Sequence, residues 1–462
     1  MDYRNTPLLL IIFGITGDLA HRKILPALYR LLERDDLPKK FAVIGVTRQA
    51  YSTDMLYSDF TERFDGNVDP VILDRLRSAT SISTLDMTDS ASYADLRDTV
   101  SSASAALGEH TNRIYYLSIP AQAFSTVITH LGSAGHSERF ANESLPPRLL
   151  IEKPFGYDTA SAQLLVDAAA NYFSESQLYR IDHYLAKETA QNILVFRFHN
   201  PLFRSIWNAR HIDRIHITAY ETIGIEGRGH FYEQTGALRD IVQSHLLQLM
   251  ALITMEQPAK LDGENIRRSK RRLLESVSPI AAENVAMRAT RGQYDSYREE
   301  VDNPSSATET FARLQLDIDN EQWRGTMIEL EAGKALSSRE SCITVHFRSM
   351  DDNTDSNTLI FRLQPQEGIT LTLEAKTPGL SNDTQGVNMA FDYTESFGEA
   401  RAEAYERVIV DAIRGDQSLF LSSEEVMACW KIVENVLEAW QRTGDDIILY
   451  ELGADPSTIG RT

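Results

Sequence analysis

The chain has 462 residues, with 46 Lys+Arg against 66 Asp+Glu, and so carries a formal net charge of −20. An acidic body excludes nucleic-acid binding through a generally basic surface, and an anionic substrate would need positive charge gathered in one pocket. With 42% hydrophobic and 24% charged residues the composition is globular, and two cysteines, Cys342 and Cys429, exclude a disulfide framework or a Cys-rich zinc site and point to the reducing cytoplasm.

The first apolar run, Leu8–Phe13, is too short for a secretory signal and leads directly into a glycine turn, so it reads as a buried strand. No stretch approaches the length that crosses a bilayer. A helix from Asp18 to Arg34 follows, then a strand at Phe41–Gly45, helices at Ser92–Leu107 and Ala121–Leu131, and strands at Arg113–Ile119 and Arg148–Ile151. This alternation predicts a parallel α/β domain of the Rossmann type ending near Ser174, hence a nucleotide domain over 1–175.

Beyond it the apolar period changes to two, at Ile215-Ile217-Ala219, Ile343-Val345-Phe347, Leu359-Phe361-Leu363 and Ile369-Leu371-Leu373. These predict a larger α+β domain over 176–462 with a mainly antiparallel sheet, in which the acidic stretch Asp351–Asn357 is a solvated hairpin loop. Helices are expected over Gly236–Ile253, Arg401–Arg414 and Ser422–Arg442. In the last, Val426, Trp430, Val433, Leu437 and Trp440 recur at helical spacing, as a core or subunit contact does. The basic run Arg267–Arg272 reads as a solvated helix face, and the sequon at Asn142 carries no meaning in a cytoplasmic chain.

Chemistry concentrates in a few segments. Gly14-Ile15-Thr16-Gly17-Asp18-Leu19 follows a strand and opens a helix, where a glycine turn lets a pyrophosphate reach backbone N–H groups; a purely structural turn is the other reading. After the second strand, Arg48 and Gln49 stand where NAD-binding domains place an acid, and an arginine there favours a 2′-phosphate. Lys153, in Glu152-Lys153-Pro154-Phe155-Gly156, sits at the strand edge that faces ligands in an open sheet. Arg180-Ile181-Asp182-His183-Tyr184-Leu185-Ala186-Lys187 is expected to start a helix with His183 and Lys187 one turn apart at its positive end, a seat for a phosphate dianion; an exposed turn with Lys187 paired to a neighbouring carboxylate is the other reading. His245 lies on an otherwise apolar helix face; paired with Asp182 it would be an oriented base, and unpaired an ordinary core histidine.

The Arg180–Glu188 string, the Gly14–Ala20 turn with Lys23, the Ile151–Gly156 strand end, the Glu221–His245 segment, Arg291–Tyr294, Thr308–Thr310, Gly333–Leu336 and Ala404–Arg407 together resemble the glucose-6-phosphate dehydrogenase family. The resemblance implies NADP, with NAD possible, on the first domain near Thr16, Arg48 and Lys153. It also implies a 6-phosphate held by His183, Tyr184 and Lys187. Glu221, Asp240, Lys334 and Arg339 would meet sugar hydroxyls or nearby charge, with Lys23 and Tyr405 at the margin. His245, oriented by Asp182, would take the C1 proton as hydride leaves for the nicotinamide, giving 6-phosphogluconolactone, with no metal. A homodimer or homotetramer is implied, and neither nucleic acid nor membrane as partner. One departure stands out: in Trp323–Lys334, Glu331 occupies a position where the family usually has arginine. It leaves open a paralogue for another aldose 6-phosphate or for NAD, and a non-catalytic sensor.

Overall fold

The computed structural model describes residues 2–64, 67–349, 356–398, 402–442 and 447–460. The first sheet is built from β1 (Leu8–Phe13), β2 (Phe41–Thr47), β3 (Thr80–Thr84), β4 (Asn112–Leu117), β5 (Arg148–Ile151) and β6 (Leu178–Ile181), all parallel, in the order 6-5-4-1-2-3. Every side chain of β1 is buried, as a central parallel strand covered on both faces requires. The strand order reverses between β1 and its neighbour β4, which leaves a crevice beyond their carboxyl ends. A short late strand, β16 (Phe420–Leu421), pairs antiparallel with β6 at the sheet edge. The sheet therefore continues past residue 175, through Ile181, and borrows its last strand from the C-terminal part of the chain.

The second sheet has ten strands and is mainly antiparallel, as expected. Its members are β7 (Ile212–Tyr220), β8 (Val277–Ser278), β9 (Ala289–Tyr294), β10 (Phe311–Ile318), β11 (Met327–Gly333), β12 (Glu340–Phe347), β13 (Thr358–Gln364), β14 (Gly368–Lys376), β15 (Thr384–Asp392) and β17 (Ile448–Tyr450). Among the described strands of this sheet, β7 with β11 and β9 with β17 pair parallel. In β13 the alternation places Leu359, Phe361 and Leu363 in the core. β12 and β13 pair antiparallel, while residues 351–355 of the expected hairpin loop lie outside the described residues.

Helix Ser92–Leu107 has the expected bounds, with Tyr93, Leu96, Val100 and Ser104 as its buried stripe. Helix Ala404–Arg414 begins later than expected, and Arg401 lies outside the described residues. Helix Ser423–Arg442 buries Val426, Trp430, Val433, Leu437 and Trp440, and the Trp430 indole donates 2.9 Å to the Phe155 carbonyl beside the first sheet. The basic run, in helix Gly263–Glu275, is not wholly solvated: Lys270 is buried and bonded to Glu425 at 2.7 Å and Gln248 at 3.1 Å. Ile266, Lys270 and Leu273 share one face, so the ammonium is carried inward and must find a counter-charge there.

Gly14 closes β1 with φ +75°, and a Cβ built on it would stand 2.2 Å from the Ser118 carbonyl oxygen at the end of β4. Only glycine lets the two strand ends approach this closely. Gly14→Ala is expected to lower stability by about 1–3 kcal/mol. Urea unfolding at constant m checks it, and an unmoved midpoint would show that the turn relaxes freely.

Candidate active site

β6 delivers Asp182 to the carboxyl edge of the first sheet, and the chain then turns through 182–187 before helix Glu188–His199 begins. His183 and Lys187 thus lie in a turn, not one helical turn apart as expected, and Lys187 is the extended residue capping the helix. The cause is local: Asp182 Oδ1 accepts from the Tyr184 N–H at 2.9 Å, an aspartate turn that competes with helix. His245 comes from the helix formed by Leu238–Leu246, in wider π-type turns, and Leu247–Thr254. Such turns recur at functional sites because they re-aim side chains.

Three distant segments meet at this imidazole. His245 Nδ1 lies 2.6 Å from Asp182 Oδ1, and its Nε2 lies 2.7 Å from Lys153 Nζ. Lys153 also donates to the Asp240 carbonyl at 2.8 Å and to Oδ1 of Asp240 at 3.0 Å. With Nδ1–H given to the carboxylate, Nε2 carries the lone pair and accepts from the ammonium. Tyr184 stacks on His245 at 4.2 Å between centroids, and His183 meets it edge-on at 4.8 Å.

Burial pushes the Asp182 carboxyl up, yet His245, His183 and Lys153 outweigh it and hold it below the ordinary carboxylate range. Burial pulls His245 down, with Asp182 opposing and Lys153 assisting, so the imidazole is neutral at neutral pH. Burial likewise draws His183 well below its usual value. Lys187 falls to about 8, mainly through burial, with Glu367 opposing. Its ammonium lies 3.9 Å from the centroid of the Tyr184 ring and has no hydrogen-bond partner among the described residues, a cation placed to receive an anion.

A cleft of about 600 Å³ opens on this cluster, lined by Lys23, Arg22, His183, Lys187, Glu367 and Tyr405. Lys334, buried on the turn after β11, is paired with Glu221, and both line a small adjoining cavity with Tyr184. Arg339 is exposed, and its charge helps to lower Lys187. On the cofactor side, the Gly17 N–H bonds the Gly14 carbonyl at 2.9 Å, which leaves Thr16 and Asp18 exposed and Leu19 half-buried at the helix entrance. Asp18 is neutralised by Arg22 at 2.8 Å. Arg48 and Gln49 are exposed just past β2, where the Thr47 hydroxyl donates to the Gln49 carbonyl at 2.6 Å. A close glycine turn, a free helix entrance and an arginine beyond the second strand fit a phosphate-bearing dinucleotide.

Two acids of the site were missed in the sequence. Glu152, buried at the end of β5, accepts from the Tyr116 hydroxyl at 2.6 Å and from Tyr405, and burial raises it to about 7. An acid directly after the apolar run Leu149–Ile151 was the available signal. Glu367 accepts from the Thr189 N–H at 3.2 Å and its hydroxyl at 3.0 Å, bracing the helix behind Lys187; a contact across 178 residues leaves no local trace.

Two family models match the chain: "Glucose-6-phosphate dehydrogenase, NAD binding domain" over residues 11–192, and "Glucose-6-phosphate dehydrogenase, C-terminal domain" over 194–459. The chain is 38% identical to a glucose-6-phosphate 1-dehydrogenase of Mycolicibacterium smegmatis, covering 96% of this chain and 93% of the relative. It is 37% identical to that of Chlamydia muridarum, covering 94% and 91%. Among solved structures it is similar to a glucose-6-phosphate dehydrogenase in complex with its substrate glucose-6-phosphate, with TM-score 0.90 and 31% identity over 99% of this chain and 98% of that one. The Mycobacterium avium enzyme gives TM-score 0.82 at 31% identity, covering 96% and 94%.

Glu331, the departure from the family pattern, lies away from both cavities. It is fully buried on β11 opposite Arg313 of β10, bonded to the Arg313 Nε at 2.7 Å and to the Tyr220 hydroxyl at 2.7 Å. The remaining donors of Arg313 hold the carbonyls of Ile459 at 2.9 Å and Pro456 at 3.2 Å, so the pair fastens the C-terminal turn to the sheet. Burial raises Glu331, but His216, Arg313 and Tyr220 outweigh it and bring it from 4.5 to about 2. A depressed carboxylate contributes its full stability above its unfolded value and loses it as pH falls from 4.5 towards 2. Glu331→Leu, which strands Arg313 in the interior, is expected to cost about 3–5 kcal/mol at neutral pH and to flatten the acid dependence in that window. Urea midpoints at neutral and acid pH check this, and a variant as stable as the parent would remove the pair from the fold's anchors.

Proposed function

The chain belongs to the glucose-6-phosphate dehydrogenase family, and from that premise we propose that it oxidises D-glucose 6-phosphate at C1 to 6-phospho-D-glucono-1,5-lactone, passing hydride to NADP. The observation that carries the reading is the buried Asp182–His245 pair, a neutral imidazole whose inner nitrogen is fixed by a carboxylate. The domain of the first sheet, expected over 1–175 and running through Ile181, serves the cofactor and lends Lys23 and Lys153 to the substrate, and the remainder to 462 serves substrate and assembly.

The nicotinamide, when bound, supplies the hydride acceptor. The protein supplies the rest. Lys187, His183 and Tyr184 take the 6-phosphate at the cleft, and this remote binding energy fixes C1 over His245. Glu221, Asp240, Lys334 and Arg339 orient the sugar hydroxyls, with Lys23 and Tyr405 at the rim. His245 Nε2 accepts the C1 hydroxyl proton as the C1–H electron pair leaves, and the C1–O bond becomes the lactone carbonyl. Asp182 stays ionised and stabilises the imidazolium that forms. Lys153, which occupies the Nε2 lone pair here, marks the seat that the C1 hydroxyl enters. Gly14, Thr16, Gly17, Asp18 and Leu19 receive the pyrophosphate, and Arg48 with Gln49 the adenosine 2′-phosphate. Glu331 lines neither cavity, so the feature that raised a different substrate does not favour one.

No helix among the described residues is long and apolar enough to cross a membrane, and the free cysteines are both buried, which supports a cytoplasmic enzyme. The second sheet ends in β15, an edge strand with Val387 and Met389 turned outward, and it supports assembly of identical chains through this sheet. Light scattering should return at least twice the chain mass; a monomer would refute the assembly.

Reduction of NADP should require the phosphorylated sugar and outpace reduction of NAD. His245→Asn should lower kcat about 10²–10⁴-fold with little change in KM. Lys187→Ala should raise KM for glucose 6-phosphate and leave the rate with free glucose nearly unchanged. Full turnover by His245→Asn would end the base assignment, and equal losses on both sugars would end the anchor.

A further inference from the structure

The helix that carries Asp240 and His245 begins at a break in the backbone. Gly236, just ahead of it, has φ 61° and ψ −179°, a region open in practice only to glycine. A Cβ there would stand 2.3 Å from Oε1 and 2.7 Å from Oε2 of Glu309. The next two backbone N–H groups are both taken by that one residue: Ala237 donates to the Glu309 carbonyl at 2.9 Å, and Leu238 to Glu309 Oε1 at 3.0 Å.

Ala237, the residue at the helix entrance, has no side-chain acceptor, and the structure records no side-chain cap there. A carboxylate from 71 residues away does the capping, and its charge is favourable beside the positive end of the helix. Glu309 is itself held rigidly. It is buried just ahead of β10, whose neighbouring Thr310 donates to the Gly292 carbonyl at 2.8 Å and accepts from the Lys334 N–H at 2.9 Å. The strained glycine, the carboxylate filling the space a side chain would need, and the doubled hydrogen bond are one device.

We propose that Glu309 is a positioning residue: it sets the start of the Leu238–Leu246 segment so that Asp240 meets Lys153 and His245 meets Asp182. The inference rests on His245 as the base. A displacement of about 1 Å at a reacting group can cost about 10²-fold in rate. The phosphate anchors His183 and Lys187 stand on the turn after β6, outside this helix, so their backbone is placed by β6 and not by Glu309.

The test compares Glu309→Ala and Glu309→Gln with His245→Asn in steady-state kinetics on glucose 6-phosphate, below the measured melting point of each variant. Glu309→Ala should lose about 10²-fold in kcat with KM within about twofold, and Glu309→Gln, which retains an acceptor for the Leu238 N–H, should keep most of its turnover. Should Glu309→Ala fail to fold, Glu309→Asp, which draws the acceptor back from Leu238, carries the same expectation. Unchanged kcat in Glu309→Ala, an equal loss in Glu309→Gln, or a loss confined to KM would overturn the proposal. An inactive His245→Asn beside a fully active Glu309→Ala would sink this inference alone, whereas an active His245→Asn would sink the base assignment beneath it.

Discussion

A fully buried imidazole is held between a carboxylate and an ammonium, and most of the architecture around the cleft serves that arrangement. Charges taken out of water cost several kcal/mol each unless partners meet them in good geometry. Asp182, His245, Lys153 and Asp240 form a connected set in which the neutral imidazole links the Asp182 carboxylate to the Lys153 ammonium, itself paired with Asp240. The set works only if the ends of β5 and β6 and the helix through residue 245 are fixed against one another. That alignment comes from the parallel sheet, from the Trp430 bond to the Phe155 carbonyl, and from the Tyr184 ring lying on the imidazole.

Two glycines mark where the backbone yields for this purpose. At Gly14 the chain presses against Ser118, opening a helix entrance to solvent at the crevice between β1 and β4. At Gly236 it presses against Glu309, starting the helix of His245 at a set angle. One approach shapes a surface for phosphate and the other aims a base. Both lie at the junction of a regular element with a turn, where strain is local and the flanking element holds it.

Much of this was legible in the sequence, and the failures have physical reasons. Continuous apolar runs marked the first sheet, a period of two the second and a period of 3.6 the long helices, because burial on both faces or on one imposes these patterns. The Arg180–Lys187 segment was correctly singled out for its chemistry but misread in conformation, since the Asp182 side chain captures the Tyr184 N–H and defers the helix to Glu188. The basic run around Lys270 reads as solvated by composition, but the spacing of Lys270 from Ile266 and Leu273 puts it on the buried stripe. Glu331 left open another aldose 6-phosphate or NAD. The register of β10 against β11 places it opposite Arg313, so the charge is answered in the next strand. Glu367 acts through a partner remote in sequence, which no local pattern reports, whereas Glu152 is marked locally by its place directly after a buried apolar run.

The division of labour between elements explains how an acidic chain handles a dianion. Lys23, Arg22 and Lys187 face one cleft beside the acids Asp18, Glu188, Glu367 and Glu403, so a dianion is met by individually placed cations and not by a uniformly positive wall. Within the cleft, Glu367 and Asp182 offset part of the effect of burial on Lys187, so the ammonium keeps a value near 8 and remains mostly protonated at neutral pH. A cation half-relieved of its water and stacked on Tyr184 has little solvation left to lose when a phosphate arrives. Anchor and base therefore share Tyr184, which carries Lys187 on one contact and His245 on another. A single ring thus sets the distance between the site that binds the phosphate and the nitrogen that takes the proton.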